Sequence, residues 1–128
     1  MNMSELCAWI FVVVTLLTIL FQLALAFGAP WGEWTLGGRH HGVLPGLWRL
    51  VPIVSAAMLM AFAAVVATRA QLSFPDWYQE SRSLIWIVVA YSALGCVANA
   101  ATRSAKERRL WLPVVCVMLV TSAVIGFS

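Results

Sequence analysis

LCAWIFVVVTLLTILFQLALAF, residues 6–27, is the stretch on which the fold turns. It runs for 22 residues without a lysine, arginine, aspartate or glutamate. At about 1.5 Å per residue it reaches roughly 30 Å as a helix, the thickness of a bilayer's hydrocarbon core. Backbone groups in lipid find no water, so a segment that crosses must satisfy its own hydrogen bonds as a helix. A secretory signal is the competing reading, and "LALAFGAP" offers small residues for cleavage. Glu5, the lack of a basic residue ahead of the run and the run's length favour a retained span.

Three more runs of this kind follow: 50–68, which is rich in alanine, 84–101, which is short, and 110–127. The whole chain of 128 residues is 62% hydrophobic and 10% charged, with a mean hydropathy of +0.91. Soluble domains carry about 25% charged residues, and this chain has too few to cover a water-facing surface. The expectation is an all-α integral membrane protein, a single four-helix transmembrane bundle with helices over 6–27, 50–68, 84–101 and 110–127.

Charge sets the expected orientation. The first loop carries Arg39 and Arg49, and the third carries Arg103, Lys106, Arg108 and Arg109. The second loop has only Arg69 and Arg82. With four spans, loops 28–49 and 102–109 share a side, and the positive-inside rule puts that side in the cytoplasm with both termini outside. The net charge of +3 is therefore a topology and headgroup signal rather than a nucleic-acid one.

Helix ends carry their own marks. Ser4 is expected to cap the first helix, with Glu5 at its positive end. "SAKE", residues 104–107, reads as a capping box, so the fourth helix starts before the membrane and contains Pro113. Pro52 falls in the first turn of the second helix, where it costs little.

The first loop, "GAPWGEWTLGGRHHG" at 28–42, is the densest in chemistry. Trp31 and Trp34 fit an aromatic belt at the headgroups. The glycines have neither of the spacings that mark a nucleotide-binding loop, and a compact turn folded back on the helix ends accounts for them. His40 and His41 are adjacent and diverge on any regular backbone, so no metal is expected. Glu33 is expected to pair with Arg39.

Within the runs, Thr15, Thr18 and Gln22 lie on one face of the first helix, and Ser92, Gly95 and Asn99 on one face of the third. Gln22 and Asn99 read as interhelical hydrogen-bonding residues, since an amide in hydrocarbon needs a partner. Both come late in their helices, and the sequence reading sets them near opposite bilayer faces. Ala57, Ala61, Ala64 and Thr68 form a small-residue stripe, and Ser122 and Gly126 a small-xxx-small pair.

Absences narrow the function. No run holds the embedded carboxylate that a proton-coupled exporter needs. Cys7, Cys96 and Cys116 form no CxxC pair, so they read as buried, inert thiols, not as a quinone-linked thiol oxidase. An enzyme is the minority expectation, and no cofactor is expected. The first-helix exit "LALAFGAPWGEWTLGG", through Ala26, Phe27, Gly28, Trp31 and Gly32, resembles a group of small four-helix bacterial membrane proteins of unknown function, as does "NAATRSAKERRLWLP". The resemblance implies the fold and a bacterial inner-membrane location, and no activity.

Two functions stay open. One is an accessory protein that packs with itself or with a membrane partner. The other binds or transports a small molecule or lipid as a homo-oligomer, through Gln22, Trp31, Glu33, Arg39, His40, His41, Tyr91 and Asn99. A continuous cavity reaching these residues favours the second; a close-packed core with apolar grooves outside favours the first.

Overall fold

A computed structural model describes all 128 residues, Met1–Ser128. Four helices make up the chain: α1 (Met3–Ala26), α2 (Leu50–Arg69), α3 (Tyr78–Ala101) and α4 (Ala105–Phe127). They form a ring in which α1 packs on α2 and α4, and α3 packs on α2 and α4, while the diagonal pairs touch least. All four are long and apolar enough to cross a membrane. The protein is a four-helix bundle with four candidate spans.

The outer surface supports the same reading. Only 17–33% of each span's apolar window is buried within the chain. Leu16, Leu17, Leu20, Val54, Met60, Ile87, Leu94, Val97 and Val120 all face outward. A continuous apolar exterior of this kind suits lipid and not water.

The core is built from Ala8, Phe11, Leu25, Val66, Ile85, Val88 and Ile125, all almost fully enclosed. Lipid tails are as apolar as these side chains, so close packing rather than water exclusion must hold the helices together. Small residues permit that approach. A Cβ added at Gly126 would lie 3.1 Å from the Trp86 ring, so glycine is what lets α4 sit against α3 there. The expected stripe on α2 is used differently: Ala57 and Ala61 face outward, and the core takes Ala56, Leu59, Phe62 and Val66.

Most buried hydroxyls find their partner on their own helix. Thr18, Thr68, Thr121 and Ser122 each donate to the carbonyl one turn back, on Val14, Ala64, Val117 and Met118. This satisfies a polar group inside an apolar bundle without a second helix.

Helix ends depart from expectation in two places. Asn2, not Ser4, caps α1, its Oδ1 accepting from the Glu5 N–H at 2.8 Å. Ser4 lies inside the first turn and its Oγ meets Ser128 Oγ at 2.7 Å. The capping box of α4 is half formed: Ser104 Oγ accepts from the Glu107 N–H at 3.1 Å. The Glu107 carboxylate does not return the bond, because it is held by the first loop. As expected, α4 begins ahead of its apolar run and Pro113 lies within it.

Candidate functional site

The first loop is a folded cap over one end of the bundle, and side chains from the α3–α4 turn hold it there. Lys106 Nζ donates to Glu33 Oε1 at 2.7 Å, and His41 Nδ1 lies 3.3 Å from Glu33 Oε2. Ser104 Oγ donates to the Glu33 carbonyl at 3.2 Å, and Glu107 Oε2 accepts the Gly37 N–H at 2.7 Å. Trp111 Nε1 donates to the Trp34 carbonyl at 2.7 Å. Leu44 anchors the cap from inside, with 1% of its surface exposed. These bonds also fix loops one and three at the same end of the bundle, as four antiparallel spans require.

Glu33 therefore does not pair with Arg39. Arg39 is six residues away in sequence, but the fold brings Lys106 closer to the carboxylate. Bonding to the Lys106 ammonium, helped by His41 against partial desolvation, holds the Glu33 carboxyl below the usual range. The sign follows from linkage: a depressed carboxyl pKa contributes stability above the unfolded value, lost as pH falls through the lower folded value. The cap is thus expected to stay closed at neutral pH and to loosen only in acid, below the ordinary carboxylate range. Amide exchange at residues 32–42, normalised for intrinsic rate, should rise on acidification more steeply in the native chain than in Glu33→Gln, in which Glu107 still holds the Gly37 N–H.

Beneath the cap, the inner faces of all four helices line a half-open cavity of about 170 Å³. Thr18 and Gln22 come from α1, Ser55 and Leu59 from α2, Tyr91, Ser92 and Asn99 from α3, and Glu107, Trp111 and Met118 from α4. Thr35 of the cap also lines it. From Asn99 to Ser92 the cavity descends about two turns, roughly 10 Å. Its deep wall is neutral and hydrogen-bonding, and Glu107 is the only ionisable side chain beside Tyr91.

Ser92 sets this cavity apart from a packing defect. Its Oγ is buried without a hydrogen-bond partner, unlike the four hydroxyls that bond one turn back. Thr15 Oγ1, one turn deeper on the Thr18 and Gln22 face, is also unpartnered. An orphaned buried hydroxyl costs about 1–3 kcal/mol, and of the two only Ser92 lies on the cavity wall, where a bound molecule would satisfy it.

Three of the eight expected site residues meet here: Gln22, Tyr91 and Asn99. The expectation that Gln22 and Asn99 lie near opposite faces is overturned, because α1 and α3 run in the same direction and their late turns share one end. Nor does Asn99 bond across the bundle; its Nδ2 donates to the Gly95 carbonyl on its own helix at 2.7 Å. The other five stay outside. Trp31 stacks on Phe21, with centroids 5.6 Å apart, in an outer groove shared with Trp34 and Leu110. Glu33 and His41 belong to the latch, and His40 lies against Trp48 with centroids 5.2 Å apart. Arg39 lines a separate open hollow with Gly37, Thr102 and Arg103.

Sequence reasoning missed Ser55, Thr35, Glu107 and Trp111. Ser55 had a signal, as the one serine in the second run. Glu107 had none, because "SAKE" accounts for it as a capping residue. The cysteines also depart from expectation. Cys7 is buried, but Cys116 is exposed on the outer surface and Cys96 is half-buried, with their Sγ atoms 3.7 Å apart.

No family model matches the chain, and no curated protein or solved structure matches it significantly.

Proposed function

We propose that this protein binds a small, uncharged, hydrogen-bonding molecule in the cavity under the first-loop cap. The observation that carries the reading is the unpartnered Ser92 hydroxyl on a cavity wall that also holds Gln22, Tyr91 and Asn99. Drug-sized ligands occupy about 300–1,000 Å³. A cavity of about 170 Å³ is too small for a lipid and suits a compact metabolite. The neutral deep wall offers no counter-charge to an ion. Mouth residues Thr35, Glu107 and Trp111 put the entrance at the loop-one end, where the cap can cover it.

Native mass spectrometry of the full chain released from its own membranes tests this. The expected result is an adduct of one defined small mass, lost in Asn99→Leu and in Gln22→Leu and retained in Leu94→Ala, which alters only the outer face. A bare polypeptide in every preparation, or an adduct indifferent to both cavity variants, would sink the reading.

A second reading, an accessory protein packing with itself or a membrane partner, draws on the outward-facing Ala57 and Ala61. It is compatible with the first if the binding unit is a homo-oligomer. A stoichiometric second polypeptide in the same spectra, without a ligand, would favour it.

In this proposal the membrane is the bacterial inner membrane, loops 28–49 and 102–109 are cytoplasmic and the termini are outside. Six basic residues at the capped end against two at the other support that orientation. The His41 side chain is 79% exposed, so His41→Cys in a background lacking the native cysteines is a clean reporter. It should react with an impermeant maleimide only after cells are opened; labelling of intact cells would reverse the topology.

A further inference from the structure

The helical hairpin α3–α4 brings together two thiols that the sequence holds 20 residues apart. The meeting has a local cause. Gly95 faces Val115, and an added Cβ there would lie 3.4 Å from Val115 Cγ1. Glycine lets the two helices approach, and the next residue on each, Cys96 and Cys116, then come into contact at 3.7 Å. A disulfide needs its sulfurs about 2.0 Å apart. Contact across a helix pair leaves rotation about the Cα–Cβ bonds to close the remainder.

The surroundings determine what can oxidise such a pair. Cys116 is exposed on the outer surface, among Leu94, Val97, Val117 and Val120, which are 69, 67, 38 and 60% exposed. Cys96 lies about one and a half turns inside the end of α3. The thiols thus open towards lipid. A water-borne disulfide does not reach them, whereas an oxidant that partitions into the bilayer does.

We propose that Cys96 and Cys116 form a redox site, oxidised to an intramolecular disulfide by a lipid-soluble quinone. Both S–H bonds break and one S–S bond forms. The two electrons and two protons pass to the quinone, which becomes the hydroquinone. The product staples α3 to α4, and Cys7, buried on α1, takes no part. The site is independent of the ligand cavity and does not rest on it.

The test uses the full chain reduced and reconstituted in phosphatidylcholine vesicles, then exposed to a short-chain ubiquinone. After denaturation, alkylatable thiols should fall from three to one, the intact mass should drop by two hydrogen atoms, and one hydroquinone should appear per chain. Peptide mapping should join Cys96 to Cys116. Cys96→Ser and Cys116→Ser should each abolish hydroquinone formation, and Cys7→Ser should leave it unchanged. Copper phenanthroline serves as a second oxidant. A disulfide with copper but none with the quinone overturns the assignment of the oxidant and with it the proposal. Three free thiols under both oxidants, a quinone–thioether mass or a disulfide between two chains overturns it as well.

Discussion

Gly32→Ala opens the first-loop cap. A methyl group at this position would sit 2.4 Å from the His40 carbonyl oxygen and 2.7 Å from that of Gly42. Both are backbone atoms, so no side-chain rotation relieves the collision, and the Gly32 N–H bond to the Gly42 carbonyl at 2.8 Å must break as the two loop segments part. Overpacking of this sort costs about 1–3 kcal/mol, and the lost bond adds to it. Amide exchange across residues 32–42 should accelerate at least tenfold while the four helices stay protected. Gly37→Ala is the matched control. It has open space around it but a φ of +72°, so it carries only the conformational penalty of about 1 kcal/mol. Equal effects from the two substitutions would show that the close approach at Gly32 is not what shapes the loop.

Arg49→Met is the second large effect. Ala26 is the last residue of α1, and its carbonyl is one of those a helix end leaves without an internal partner. Arg49 Nε and Nη2 both donate to it, at 3.0 and 2.8 Å. The guanidinium also sits at the negative end of the helix dipole. One side chain thereby closes the 23-residue excursion, residues 27–49, between the end of α1 and the start of α2. Hydrogen bonds from a charged donor contribute about 1.5–3 kcal/mol, and the thermal midpoint in mild detergent should fall by several degrees. Arg49→Lys keeps the positive charge that orients the loop but offers a point donor in place of a fork. It should recover part of the loss, and full recovery would mean that charge alone matters.

The fold was legible because its signal is long and redundant. Four uncharged runs of membrane length admit little besides helices. The boundaries were less so. α3 begins at Tyr78, and α4 at Ala105, several residues before their apolar runs. A hydropathy pattern stops where charge begins, but a helix continues through residues such as Gln79, Glu80 and Lys106 into water or headgroups.

The site was legible in proportion to how unusual each residue is in hydrocarbon. Gln22, Tyr91 and Asn99 stand out in apolar runs, and the structure gathers them. Ser55 is small enough to pass as packing. The common depth of Gln22 and Asn99 was derivable from the parallel course of the first and third spans. The Glu33–Lys106 pair was not derivable, because 73 residues separate them and only the docked cap brings them together. The Cys96–Cys116 contact depends on the register of a hairpin that spacing alone leaves free.

In the proposed function the Ser92 hydroxyl finds its partner on the bound molecule. A high-resolution density map of the protein extracted with its own lipids tests this most directly. Ordered non-protein density is expected between Gln22, Tyr91 and Asn99, within hydrogen-bond reach of Ser92 Oγ. A Ser92 side chain turned onto the Val88 carbonyl, as Ser122 turns onto Met118, with Tyr91 and Trp111 filling the space, would contradict it.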